Sequence, residues 1–167
     1  MICLSQISTR GLKNVDVGLD AMPITQFSTT PNWGQMVNAE PELEGIWRRL
    51  YVPKAYNYEA IDAFIVMLDK EKRTLKLFAI QVTIANKHKD SEKQFFNKWW
   101  RQYYTSIPNK FKRHYTVSVA FVWLHRGEYV TEELKSIAEH IKVVDGPSEY
   151  KQFKIPLETI HNSFDKL

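Results

Sequence analysis

The chain has 167 residues, a hydrophobic content of 44% and a formal net charge of +4 at pH 7. This length and composition predict one folded domain with a packed core, and they exclude an intrinsically disordered chain. The single cysteine, Cys3, excludes an intramolecular disulfide, and no run approaches the ~20 apolar residues of a membrane-spanning helix. We therefore expect no membrane partner.

Residues 1–33 carry only short apolar patches between turn-forming sequences. We interpret them as an N-terminal extension that covers the sheet or meets a partner, and residues 34–167 as the main domain. The start of the chain lacks the basic region and the long apolar region of a signal peptide. Any export leader is therefore expected to lie outside this sequence.

A helix is predicted from Pro41 to Leu50. Proline suits a first helical position, and the acidic side chains of Glu42 and Glu44 suit the positive end of a helix. The apolar residues that recur at helical spacing are Leu43, Ile46, Trp47 and Leu50.

An antiparallel hairpin is predicted next, because two apolar runs flank a charged tip from Lys70 to Arg73. With this tip, Asp62 faces Gln81, and Thr83 follows on the same face. Two interpretations of this patch stay open. The polar side chains satisfy one another at a sheet edge, or Asp62 anchors a cation or a proton.

A second helix is predicted from Ser91, which with Gln94 has the form of a capping box. Its aromatic residues recur every fourth position and are expected to form core rather than a base-stacking platform. This arrangement leaves Lys93, Lys98 and Arg101 nearer to solvent. One stripe consists of Phe95, Trp99 and Tyr103 and continues with the aliphatic Ile107, and the other consists of Phe96, Trp100 and Tyr104.

The remaining pattern predicts a buried strand from His114 to Leu124 beside the strand of Gln81, a helix that starts at Thr131 and a closing strand from Tyr150 to Ile155. A short helical tail follows. Between residues 85 and 114 there are eight lysines and arginines against two acidic residues. This excess fits either phosphate contacts or a solvated helix face.

Three short segments, Leu50-Tyr-Val-Pro-Lys54, Glu59-Ala-Ile-Asp-Ala-Phe64 and Phe78-Ala-Ile-Gln-Val-Thr83, followed by His88, resemble one known family. It is the nuclease-like domain of Crinkler effectors and of the retrotransposon hot spot proteins of trypanosomes. The resemblance covers residues 47–100 and implies an α/β fold of the restriction-endonuclease type. In that fold an antiparallel hairpin belongs to a mixed sheet flanked by helices.

By position in the family motif, Asp62 is the first acidic residue, Gln81 stands where the second acid belongs, and Thr83 stands where a lysine belongs. The resemblance implies Mg²⁺ held by Asp62, the Gln81 side-chain oxygen and the Val82 carbonyl. His88 or Lys87 is a candidate to replace the missing lysine; the alternative is that His88 is an ordinary surface residue. The carboxamide brings no charge and threonine brings no amine, so endonuclease activity is expected to be weak or lost.

The resemblance therefore implies a secreted effector that is delivered to the host nucleus and binds double-stranded DNA there. The candidate nucleic-acid contacts are Lys87, Lys89, Lys93, Lys98 and Arg101. The alternative is a catalytically inactive nuclease fold that serves protein interaction with a host protein or homodimerisation. A small-molecule enzyme has no support, since the chain contains no phosphate-binding glycine loop.

Overall fold

The computed structural model describes residues 3–5, 14–16, 22–29, 31–37, 45–55, 58, 60–83, 90–126 and 150–157. The strands in these ranges are β1 (Cys3–Ser5), β2 (Asn14–Asp16), β3 (Ile24–Phe27), β4 (Ile46–Pro53), β5 (Ala63–Asp69), β6 (Thr74–Thr83), β7 (Thr116–His125) and β8 (Lys151–Pro156). The helices are α1 (Trp33–Val37), α2 (Ser91–Gln94), a π-helix (Phe95–Trp100), α3 (Arg101–Ser106) and α4 (Asn109–His114). Within these ranges no helix is long and apolar enough to cross a membrane.

Six strands form one mixed sheet in the order β3-β4-β5-β6-β7-β8. Strands β4, β5 and β6 are antiparallel neighbours, whereas β6, β7 and β8 run parallel to one another. Strand β3 pairs in parallel with β4, so part of the N-terminal extension forms an edge of this sheet. Strands β1 and β2 form a separate antiparallel pair. The predicted α/β class is confirmed.

The β5–β6 hairpin has the predicted register. Asp69 pairs with Thr74 and Ala63 pairs with Ile80. The Asp69 carboxylate accepts a hydrogen bond from the Lys72 backbone N–H (2.8 Å), which closes the four-residue tip. Local sequence therefore sets the pairing that brings Asp62 to Gln81.

The predicted helix from Pro41 to Leu50 is wrong from Ile46 onward, where the chain forms β4. Trp47 and Tyr51 are four residues apart, a spacing that suits one face of a strand as well as one face of a helix. Both are buried against the hydrophobic core, and long-range pairing with β5 decides in favour of the strand. The first part of the predicted helix, with Glu42 and Glu44, lies outside the described residues.

The described part of the crossover between β6 and β7, from residue 90 onward, is helical, and its two stripes pack into the core as predicted, with Tyr104 half-buried. Phe95, Phe96, Trp99, Trp100, Tyr103 and Ile107 are buried. In an α-helix, side chains four residues apart do not point in quite the same direction, because one turn contains fewer than four residues. The wider turns of the π-helix, with i→i+5 hydrogen bonds, rotate the side chains in the opposite sense and so compensate. The π segment therefore keeps the fourth-residue stripe directed at the sheet.

Two local predictions for the crossover are wrong. Ser91 is the first residue of α2 rather than its cap, and Asp90 at the cap position makes no side-chain capping bond. After Pro108 the chain forms α4, a helix that was not predicted. His114, the predicted first residue of the following strand, is the last residue of this helix. That strand, β7, starts at Thr116 and pairs with the Gln81 strand as expected.

The sheet has a core on each face. On the helix-covered face, the Phe64 ring stacks on Tyr51 (4.7 Å between centroids) and contacts Trp99 (4.9 Å). Phe95 packs against Phe121 on the same face (5.5 Å). The smaller core on the other face consists of Ile65, Phe78, Ala120, Val122, Phe153 and Ile155. The predicted closing strand is confirmed as β8, whereas the helix from Thr131 and the C-terminal tail lie outside the described residues.

Candidate functional site

Polar side chains gather where the parallel strands end. Gln81 of β6 pairs with Trp123 of β7, which pairs in turn with Lys154 of β8. Directly paired residues share a face of the sheet. This face is covered by the continuous helical segment of residues 91–106 (α2, the π-helix and α3), which we call the crossover helix. With Asp62 at the start of β5, these residues form a cross-strand row of Asp62, Gln81, Trp123 and Lys154. The carboxyl ends of parallel strands are where α/β proteins commonly bind ligands.

Asp62 and Gln81 meet as the hairpin register predicts. The Asp62 backbone N–H donates to the Ile80 carbonyl (2.9 Å) and so extends the ladder by one residue. Its carboxylate atom Oδ2 accepts hydrogen bonds from Gln81 Nε2 (2.5 Å) and from the Val82 backbone N–H (2.7 Å). Gln81 is 5% exposed, while Asp62 is half-buried. The acid is thus fixed at the boundary between core and solvent.

The carboxamide of Gln81 turns its nitrogen toward both of the other proposed metal ligands. Nε2 donates to the Val82 carbonyl (3.2 Å) as well as to Asp62. Carboxylate, carboxamide and carbonyl oxygens are the ligands that Mg²⁺ prefers, but this set carries one negative charge. Among the described residues, no group of three or more His, Cys, Asp or Glu side chains is placed to hold a metal. The donor set fits Mg²⁺ weakly.

Thr83 lies one pleat beyond Gln81 and pairs with His125 of β7. Thr83 is 5% exposed and His125 is 3% exposed. The Thr83 hydroxyl is therefore enclosed in the structure rather than presented to solvent. His88, together with Lys87 and Lys89, lies outside the described residues.

Glu92 is a charged residue of the site that the sequence analysis missed. Its side chain is 0% exposed. The carboxylate atom Oε2 accepts hydrogen bonds from Trp123 Nε1 (3.0 Å) and Gln152 Nε2 (2.8 Å). Lys154, which is 7% exposed, attracts this carboxylate. Glu92 therefore connects the start of the crossover helix to the row at Trp123 and Lys154.

Burial raises the pKa of Glu92 above its ordinary value of 4.5. The neighbouring Tyr150 hydroxyl, the two hydrogen bonds from Trp123 and Gln152, and the charge of Lys154 lower this pKa in part. Burial also raises the pKa of Tyr150, and the nearby Glu92 carboxylate adds to that rise. The sequence contains one signal for this cluster: Lys154 occupies a position between the buried residues Phe153 and Ile155 of β8.

An open groove of about 910 Å³ lies along the exposed side of the crossover helix. Ala60, two residues before Asp62, forms part of its wall. Of the predicted nucleic-acid contacts, Lys93 and Lys98 line this groove, and Arg101 is exposed on the same helical segment. The other lining residues are Ala55, Tyr58, Asp90, Gln94, Asn97, Trp99 and Gln102. We call this feature the helix groove.

Comparison of the chain with protein-family models, with curated proteins and with solved structures finds no match.

Proposed function

We propose that this chain is a nucleic-acid-binding domain of the restriction-endonuclease type, similar to the Crinkler effector domain, that binds double-stranded DNA in a host nucleus. Its endonuclease activity is weak and Mg²⁺-dependent, or lost. The observation that carries the proposal is the position of Asp62. A fixed, half-buried carboxylate stands at the carboxyl edge of the sheet, close in sequence to the wall of a groove with two lysines.

The exposed side of the crossover helix supports binding to phosphate. Residues 93–105 contain three cations, three carboxamides and no acidic residue. Lys93, Lys98 and Arg101 are exposed, whereas the aromatic residues of the same segment are buried in the core. A cationic face of this kind supplies the electrostatic part of DNA binding.

The cross-strand row supports a modest catalytic capacity. If the Gln81 carboxamide turned its oxygen toward Asp62 and the Val82 carbonyl, these three oxygens would hold Mg²⁺, which in such sites polarises a phosphate and lowers the pKa of a bound water. In phosphodiester hydrolysis, water attacks phosphorus and the ester oxygen leaves with a proton. Among the described residues, the site provides one carboxylate, that of Asp62, to hold the cation and the Thr83 hydroxyl in place of an amine. Both features predict slow hydrolysis.

The second candidate is a catalytically inactive module that binds a host protein or a second copy of the chain. One observation favours it. Oδ2 of Asp62 already accepts two hydrogen bonds, and Gln81 Nε2 lies between the Asp62 and Val82 oxygens. The pair is satisfied without any ligand.

Retention on double-stranded DNA as a function of salt tests the proposal. We expect retention at low salt that falls steeply as salt rises, because phosphate contacts release counterions. A Lys93→Glu/Lys98→Glu variant is expected to lose retention. Lys110→Glu is the control for charge reversal, since Lys110 is exposed in α4 and does not line the helix groove. Absence of retention by the wild type at low salt would exclude DNA binding and leave the interaction module.

A further inference from the structure

We infer that the helix groove binds a short single-stranded segment of nucleic acid, with phosphates at Lys93 and Lys98 and bases against Tyr58 and the carboxamides. This inference rests on the proposed nucleic-acid binding and specifies the form of the ligand.

The dimensions of the groove suit a flexible chain rather than a duplex. Its volume of about 910 Å³ lies near the upper end of the ~300–1,000 Å³ that is typical of small-ligand sites. A double helix presents its bases only within its own grooves, so it would contact a protein concavity of this size mainly through its backbone. A single strand can enter the concavity with its bases.

The polar lining offers groups that suit both parts of a nucleotide. Lys93 and Lys98 are cations that can contact phosphate oxygens, and both lie on the exposed side of the helix. Carboxamides carry a donor and an acceptor together, which matches the edges of unpaired bases. The three carboxamides in the groove are Gln94, Asn97 and Gln102.

Tyr58 supplies an aromatic side chain to the groove lining. Its ring makes a T-shaped contact with Phe27, with 5.1 Å between centroids, and the residue is half-buried. The ring is therefore held in place while part of the residue lines the groove. Trp99 forms part of the groove surface, but stacking on Phe95 (5.2 Å) leaves it 5% exposed. Of the two aromatic residues among the described lining residues, Tyr58 is therefore the one suited to stack on a base.

The charge of the groove favours a polyanion whose linear charge density is lower than that of a duplex. Among the described lining residues, two lysines are accompanied by one acidic residue, Asp90, which gives this part of the lining a small positive excess. An acidic peptide would match the lysines but would not need an aromatic residue and three carboxamides. A single strand uses all three kinds of side chain.

The test is fluorescence anisotropy with three labelled probes: a short oligothymidylate, a duplex and an oligoglutamate peptide. Tyr58→Leu is expected to weaken oligothymidylate binding about tenfold, the size of one lost stacking contact. Because Tyr58 also packs on Phe27, a second variant, Gln94→Ala/Asn97→Ala, removes exposed groups only. It is expected to weaken oligothymidylate binding while duplex binding stays unchanged. Asn109→Ala, an exposed carboxamide outside the groove, is the matched control.

The outcomes separate this inference from the proposed function. The single-strand inference alone would be overturned if the protein bound the duplex and if Gln94→Ala/Asn97→Ala left the affinity for oligothymidylate unchanged. Oligothymidylate binding that depends on the groove residues, without duplex binding, would support the inference and overturn the duplex proposal. Tighter binding of the peptide than of either nucleic acid would overturn both.

Discussion

Gln81 donates a hydrogen bond from Nε2 to Oδ2 of Asp62 over 2.5 Å, across the open end of the β5–β6 hairpin. The two residues are 19 positions apart in the chain. Because the donor is a carboxamide, the single negative charge of Asp62 is satisfied within the protein. A carboxylate at position 81 would instead place two negative charges in contact, and a bound cation or a shared proton would be needed to offset their repulsion.

Gln81→Glu is therefore expected to make the stability of the protein depend on Mg²⁺. Without a divalent cation the variant should melt at a lower temperature than the wild type, since two adjacent carboxylates repel each other. Addition of Mg²⁺ should recover the loss, because ligand binding to the native state stabilises it. Thermal unfolding with and without Mg²⁺ measures the effect.

The matched control for this variant is Gln81→Glu/Asp62→Asn, which returns the pair to one negative charge. It should show little response to Mg²⁺. An equal Mg²⁺ response in the single and double variants would mean that Asp62 and position 81 do not share a cation.

The burial of Glu92 predicts that the free energy of unfolding falls as pH rises. Its pKa is raised in the native state, so the native protein keeps a proton that the unfolded chain releases above about pH 4.5. The stabilising effect of this proton is present at lower pH and is lost as pH rises toward the native pKa. Glu92→Gln, which keeps acceptor capacity for Trp123 and Gln152, should give a flatter dependence of melting temperature on pH. An unchanged slope in this variant would mean that Glu92 does not titrate with unfolding.

Lys154 is expected to moderate the cost of burying the Glu92 charge. Lys154→Met removes a cation that lowers the pKa of Glu92, so stability should fall more steeply with rising pH than in the wild type. Lys151→Met is the control, because Lys151 is exposed on the same strand. In the double variant Lys154→Met/Glu92→Gln the steep slope should disappear. If it persisted, the pH dependence of Lys154→Met would have another origin.

Asp62→Ala is expected to keep the fold. The loss of two hydrogen bonds costs about 1–3 kcal/mol, within the ~5–15 kcal/mol that is typical of a folded domain. Val82 is 39% exposed, which allows water to replace the lost acceptor of its backbone N–H. A near-native far-UV circular dichroism spectrum with a slightly lower melting temperature is the expected result. Complete unfolding would show that Asp62 is mainly structural.

The parts of this fold that the sequence predicted are those that neighbouring residues determine. The hairpin follows from two apolar runs around a four-residue charged tip, and its register follows from the tip. The segment from Ile46 is a strand although Ile46, Trp47 and Leu50, together with Leu43, have helical spacing. Pairing with β5 decides the outcome. Local pattern cannot supply that pairing.

The Glu92 cluster likewise depends on contacts between residues far apart in the sequence, which a local sequence pattern does not predict. Its hydrogen bonds join Glu92 to residues 31 and 60 positions away, on two different strands. The position of Glu92 in the first turn of a helix suggests an ordinary solvated acid. Its burial depends on how the crossover helix lies over β7 and β8, and this is a property of tertiary packing.

Nuclease activity and DNA binding are tested together by conversion of supercoiled plasmid DNA in Mg²⁺, Mn²⁺ or chelator, with DNA retention measured on the same samples. We expect the wild type to be retained on DNA and to nick it slowly in Mg²⁺ or not at all. Asp62→Ala should be retained equally and should not nick DNA. Nicking by folded Asp62→Ala at the wild-type rate, or a wild type that DNA does not retain at low salt, would contradict the proposed function.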